Sequence, residues 1–242
     1  MGNRNAAAEF PIVYYIIGQI WKLTGYQLWL TKLFSLGLLM TAIISLRHFL
    51  LWFFESKQKV LVFSGIIFSA PVLIYYADTV LPNIYAFSFL LIAINACFSY
   101  LQTKSKWSYL GFTIFLCLAI LIKVTALIAV LAFLGALFFT VLLTNTWKSY
   151  FSDRRVYWLG LSVLIALLSS FLWYTYAIRY NAAHGSTIFS TTIRPIWEVS
   201  TEEQIRIIKL VLTEHLKEMY HQLILVPLVL IGFWALFKKE IP

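Results

Sequence analysis

Between residues 33 and 177 the chain passes through one apolar run after another, separated only by brief polar junctions. A hydrocarbon core about 30 Å thick takes roughly 20 apolar residues per helical crossing. Inside it every backbone N–H and C=O has to be satisfied within the protein, which leaves bundled helices or a closed barrel. A barrel would read as alternating segments of about ten residues. None occur, so the expected fold class is all-α: a polytopic membrane helix bundle of about seven crossings with external juxtamembrane amphipathic helices. The crossings are expected at about 33–54, 60–77, 83–101, 107–122, 125–144, 156–177 and 221–237. Composition agrees, with 61% hydrophobic and 12% charged residues against about 25% charged in an average soluble domain.

The formal charge of +9 does not point to nucleic acid, because the basic residues are scattered beside apolar runs and form no tract. Topology accounts for them. Lys57 and Lys59, Lys104 and Lys106, Lys148, Arg154 and Arg155, and Lys238 and Lys239 fall at alternate junctions. The two short junctions on the other side, "YADTVLPN" and "IKVT", hold only Lys123. The positive-inside rule puts the first set in the cytoplasm. The cysteines, Cys97 and Cys117, lie inside apolar runs and act as small hydrophobes. No cleavable signal pattern is present, since residues 1–9 are polar.

The whole chain reads as one membrane domain. Residues 1–32 form an external juxtamembrane segment, 33–177 contain six crossings, 178–220 form an external loop, and 221–237 make the last crossing. Glu9, Asp78, Glu198, Glu202, Glu203, Glu214 and Glu218 all fall on the outer side, so chemistry that needs acids is expected there. In the second loop Ser200 and Glu203 form a capping box. Ile205, Ile208, Leu212, Leu216 and Met219 then follow on one helical face, as in an amphipathic helix lying on the outer leaflet.

Asp78 follows "PVLIYY" and precedes "LPN", which sets a carboxylate in an aromatic turn at the outer mouth of a crossing. Ionisable groups near membrane depth are functional candidates; the plainer reading is a solvated loop acid. Lys123 interrupts "LAILIKVTALIAV" on the outer side and suits a phosphate as a point charge, or snorkels to the interface. Glu9, ahead of Pro11 and the aromatic run of Tyr14, Tyr15 and Trp21, suits a polar contact under a surface helix, or simply favours a helix N-terminus. Arg179 and Arg194 would clamp a phosphate or diphosphate, or act as interfacial anchors. Arg47 snorkels, and His184, His215 and His221 show no metal-ligand spacing. No glycine-rich phosphate loop, nucleophile elbow or HExxH occurs. Nucleotide-dependent chemistry is therefore disfavoured, no cofactor is evident and no metal set is present, while a need for a divalent ion stays open.

"AAAEFPIVYYIIGQIWKLTG", then "PVLIYYADTVLPNIYAFSFLLIAINACFSYL", then "LCLAILIKVTAL" resemble, in order and spacing, the integral-membrane glycosyltransferases related to protein O-mannosyltransferases and the lipid A aminoarabinose transferase. The resemblance covers roughly residues 5–180. It implies a GT-C fold and transfer of a sugar from a polyprenyl-phosphate donor to an envelope lipid, glycan or protein acceptor. The reaction would take place at the outer face of the inner cell membrane, with membrane lipid as a further partner. "EFPIVYYIIGQIWKLTG" matches the family's juxtamembrane helix and "YAD" its acidic outer turn. "KVTAL" matches a stretch usually written Lys-Pro-Thr, with Val124 in place of the proline. Asp78 is then the candidate catalytic acid, and Glu9, Lys123, Arg179 and Arg194 the substrate-binding candidates. The family's general base lies in an outer loop upstream of the juxtamembrane helix, a position that would precede Met1. The resemblance therefore implies an enzyme lacking its N-terminal part. The alternatives are a transporter or lipid-handling protein, or a non-catalytic relative.

Overall fold

Lipid-facing backbone has to close its own hydrogen bonds, and in this computed structural model every regular element among the described residues is helical, with no strand. The structure describes residues 7, 9–68, 70–78, 81–144, 152–185, 196–215 and 230. Eight helices follow in order: α1 (Ile12–Thr24), α2 (Leu28–Leu50), α3 (Lys57–Phe68), α4 (Pro71–Asp78), α5 (Pro82–Thr103), α6 (Lys106–Ile122), α7 (Ala126–Thr144) and α8 (Arg154–Ala183). A 3-10 turn at Ile196–Glu198 leads into α9 (Thr201–Leu210), which continues as a π-helical turn over Val211–His215.

Among the described residues three helices, α2, α5 and α8, are long and apolar enough to cross a membrane. The expected crossing at 60–77 is divided into α3 and α4. Pro71 has no N–H to donate and disfavours helical backbone at the residue before it, and Ala70 lies outside both helices. Helix α2 starts at Leu28, taking the last residues of the expected external segment. Helix α8 runs to Ala183, so Arg179 lies on a helix and not in a loop. The expected crossing at 221–237 lies outside the described residues except for Leu230.

Helix α5 is the centre of the bundle, packed against α2 on one side and α6 on the other. Pro82 fits its first turn, where a missing N–H costs nothing. At its end Lys104 takes a left-handed conformation, φ 55°, which turns the chain back on itself. Helix α6 then returns antiparallel along α5, setting Phe112, Leu116, Ala119 and Ile120 against Ala93 and Cys97. Helices α2 and α5 run parallel: Ser35 meets Tyr85 near one end and Phe49 meets Phe98 near the other. Helix α8 packs along α6, where Thr113 and Ser162 share a hydrogen bond of 2.7 Å.

Small residues dominate these seams. Ala42, Ala93, Ala119, Ser162, Ala166 and Ala177 are completely buried, as expected where helices associate in lipid by close backbone approach. The outward faces are apolar instead, with Leu36, Met40 and Ile44 on α2 and Leu164, Leu168 and Phe171 on α8 all exposed. Such a surface suits a hydrocarbon solvent.

The two ends of the bundle differ. One gathers Lys57, Lys59, Lys104 and Lys106 with the start of α8, where Asp153 caps the helix by accepting from the Arg155 N–H. Arg155 holds the Asp153 carboxyl below its ordinary value and also donates to the Leu101 carbonyl. The other end gathers α1, the starts of α2 and α5, and the ends of α6 and α8. There Val13 and Ile17 of α1 pack on Leu39, Ile84, Tyr85 and Ile122.

Candidate functional site

The last carbonyls of a helix have no intrahelical partner, and the chain ahead of α1 takes advantage of one. The Phe10 N–H donates to the carbonyl of Leu121, near the end of α6, at 3.1 Å. Three residues earlier, Asn181 near the end of α8 pairs with Ala7 in both directions. Its Oδ1 accepts from the Ala7 N–H at 2.8 Å and its Nδ2 donates to the Ala7 carbonyl at 2.7 Å. The Phe10 ring meets Trp173 of α8 edge-on, with centroids 4.9 Å apart. Ala7 and Phe10 thus strap the chain ahead of α1 to the ends of α8 and α6.

Glu9 lies on this strap. Lys123 ends α6: its N–H still bonds back to Ala119, but its own backbone is extended, and the chain turns through Val124 and Thr125 into α7. Lys123 Nζ donates to Glu9 Oε1 at 2.8 Å, a contact that joins residues 114 positions apart. The side chains remain 34% and 29% exposed, respectively. A cation at a helix C-terminus is favoured by the macrodipole. The Tyr14 hydroxyl lies close enough to feel the pair; burial first, and then the Glu9 charge, push its pKa up. Tyr174 of α8 is beside Val124 and within the field of Glu9.

Of the residues singled out in the sequence, Glu9 and Lys123 are brought together. The backbone of Asp78 is the last residue of α4, two positions after Tyr76, which packs against the cluster beneath α1. Asp78 therefore belongs to the same end of the bundle. Arg179 is exposed on α8, two residues before the buried Asn181. Arg194 lies outside the described residues. Among the described residues no group of three His, Cys, Asp or Glu side chains is placed to hold a metal.

Sequence reasoning missed Asn181, Phe10 and Trp173. A signal for Asn181 was present. Ser162, Ala166, Ser170, Ala177 and Asn181 fall at intervals of four or seven along one buried face of α8, and an amide on such a seam has to find partners. Chemically, the arrangement offers an ammonium that seats an oxygen anion and, beside it, a carboxylate that accepts a proton or hydroxyl hydrogen bond. Compared with protein-family models, with curated proteins and with solved structures, the chain finds no match in any of the three.

Proposed function

We propose that the chain is the membrane region of a GT-C-type glycosyltransferase. It would move a sugar from a polyprenyl-phosphate donor to an envelope lipid, glycan or protein at the outer face of the inner cell membrane. The observation that carries this reading is the meeting of Glu9 and Lys123 at 2.8 Å, at the end of the bundle where α4 finishes in Asp78. In this reading α2, α3 with α4, α5, α6, α7, α8 and the segment 221–237 make the seven crossings, and α1 roofs the site.

The chemistry assigns the roles. An acceptor hydroxyl loses a proton as it attacks the anomeric carbon, so carboxylates are wanted at the outer face, and Asp78 is the candidate catalytic acid there. Departing polyprenyl phosphate gathers negative charge, which Lys123 faces, with Arg179 and Arg194 assisting. A carboxylate at a helix C-terminus opposes the macrodipole. Helix stability therefore gives no reason for an acid at position 78, and catalysis does. Activation resides in the phosphoester, so no nucleotide loop is required.

The test is transfer from polyprenyl-phosphate mannose and from polyprenyl-phosphate aminoarabinose by the full chain in proteoliposomes. Asp78→Asn is expected to abolish release of polyprenyl phosphate while leaving the helical signal and solubilised size unchanged; undiminished turnover removes Asp78 from the mechanism. One observation favours a lipid-handling protein instead. An apolar cavity of about 220 Å³ lies between α5, α6, α7 and α8, walled by Cys97, Phe112, Val130 and Val163. Movement of the lipid across the bilayer without sugar transfer, in the same vesicles, would establish that alternative.

A further inference from the structure

We infer that Glu9 is a built-in occupant of the anion seat at Lys123, displaced when the phosphate of an isoprenoid lipid binds there. This rests on the reading of Lys123 as the residue that faces the donor phosphate, and it adds how that seat is held before the donor arrives.

A carboxylate oxygen 2.8 Å from an ammonium makes the contact that a phosphate oxygen would make. Among the described residues Glu9 is the one hydrogen-bond partner of Lys123 Nζ, and an ammonium has three donors. An arriving phosphate that left Glu9 in place would lie beside a second anion, so binding favours a displaced carboxylate.

The strap permits that displacement. Its hold on the bundle runs through the Ala7 backbone to Asn181, the Phe10 N–H to Leu121 and the Phe10 ring to Trp173, and none of these uses the Glu9 side chain. The carboxylate can therefore swing away while Ala7 and Phe10 stay docked. Partial exposure of both partners keeps the pair weak enough to exchange, since solvent screens it. It also leaves the ammonium reachable from the interface.

The experiment is equilibrium binding of radiolabelled undecaprenyl phosphate to the full chain in phosphatidylcholine nanodiscs. Glu9→Gln is expected to tighten binding about fivefold, the worth of a partly exposed ion pair. Lys123→Gln is expected to weaken it about tenfold or more, and the double variant to match Lys123→Gln alone, because Glu9 acts only through Lys123. Unchanged or weaker binding by Glu9→Gln, alongside weakened binding by Lys123→Gln, overturns the displacement and leaves the phosphate seat standing. Unchanged binding by Lys123→Gln removes the seat itself and with it the reading on which this rests. Displacement of the lipid by a tenfold excess of inorganic phosphate would assign the seat to free phosphate and overturn the lipid assignment; no displacement is expected. Because the strap holds without the Glu9 side chain, unchanged helical content and solubilised size are expected for Glu9→Gln.

Discussion

Ser35 and Tyr85 meet hydroxyl to hydroxyl at 2.7 Å between α2 and α5, and both are buried. Their situations are unequal, because Ser35 Oγ also donates to the Thr31 carbonyl one turn back. Removing the phenol hydroxyl leaves the serine with that backbone acceptor, whereas removing the serine leaves a phenol hydroxyl buried without its partner. Tyr85→Phe should therefore cost about 0.6 kcal/mol, the average for such bonds between membrane helices. Ser35→Ala should cost more, about 1–3 kcal/mol, the penalty for an orphaned buried polar group. Unfolding by steric trapping in bicelles measures both, and a reversed order would sink the argument. Little of this was legible beforehand. A serine and a tyrosine inside apolar runs look like tolerated polar residues, and only the parallel packing of α2 on α5 makes them neighbours. Glu9 and Lys123 were legible singly, as charges where charge is expensive. Their pairing was not, since nothing local relates residues 9 and 123.

Helix α1 shows what a short amphipathic element gains from docking. Thirteen residues are marginal as an isolated helix, and only Val13 and Ile17 are buried. They lie four apart on one face, against Ile84 and Ile122. Gly25, at φ 78°, then turns the chain into α2 through a conformation that L side chains rarely adopt. Ile17→Ala should remove about 2 kcal/mol of docking, the low end for buried aliphatic truncation, because the neighbours form a shallow surface contact. Hydrogen exchange should then quicken across α1 while α5 and α6 keep their protection; equal loss in all three helices would mean that α1 is integral to the core. That 8–25 is too short and interrupted to cross a bilayer was readable from its length and its proline; its helical character came from the resemblance, and the helix runs from Ile12 to Thr24. The division of 60–77 was readable too, at Pro71, but hydropathy averaged across the break and hid it. Boundaries shifted most where polar residues sit on helices that hydropathy ends early, as with Arg179 on α8.

At the scale of the molecule the two ends are chemically distinct. Helices α5 and α6, antiparallel side by side, carry the chain from one to the other and back. The 17 residues of α6 span about 25 Å at 1.5 Å per residue, close to a hydrocarbon core. The short connections put Lys57, Lys59, Lys104, Lys106, Arg154 and Arg155 at one end, which the positive-inside rule assigns to the cytoplasm. At the opposite end Lys123 is neutralised by Glu9, so it weighs little against that assignment. Lys22 and Lys32 also belong to the α1 end, so the sign of the bias is carried by the short connections alone and calls for a direct measurement. Thr125 and Lys106 are both exposed and stand at opposite ends of α6. With Cys97 and Cys117 replaced by alanine, a membrane-impermeant maleimide should label Thr125→Cys in intact cells and Lys106→Cys only after permeabilisation. Labelling of both from the same side would show that α6 does not cross. Labelling of Lys106→Cys alone would invert the bundle and move Glu9, Lys123 and the end of α4 into the cytoplasm. Sugar nucleotides are available there, and a lipid-phosphate donor would lose its rationale.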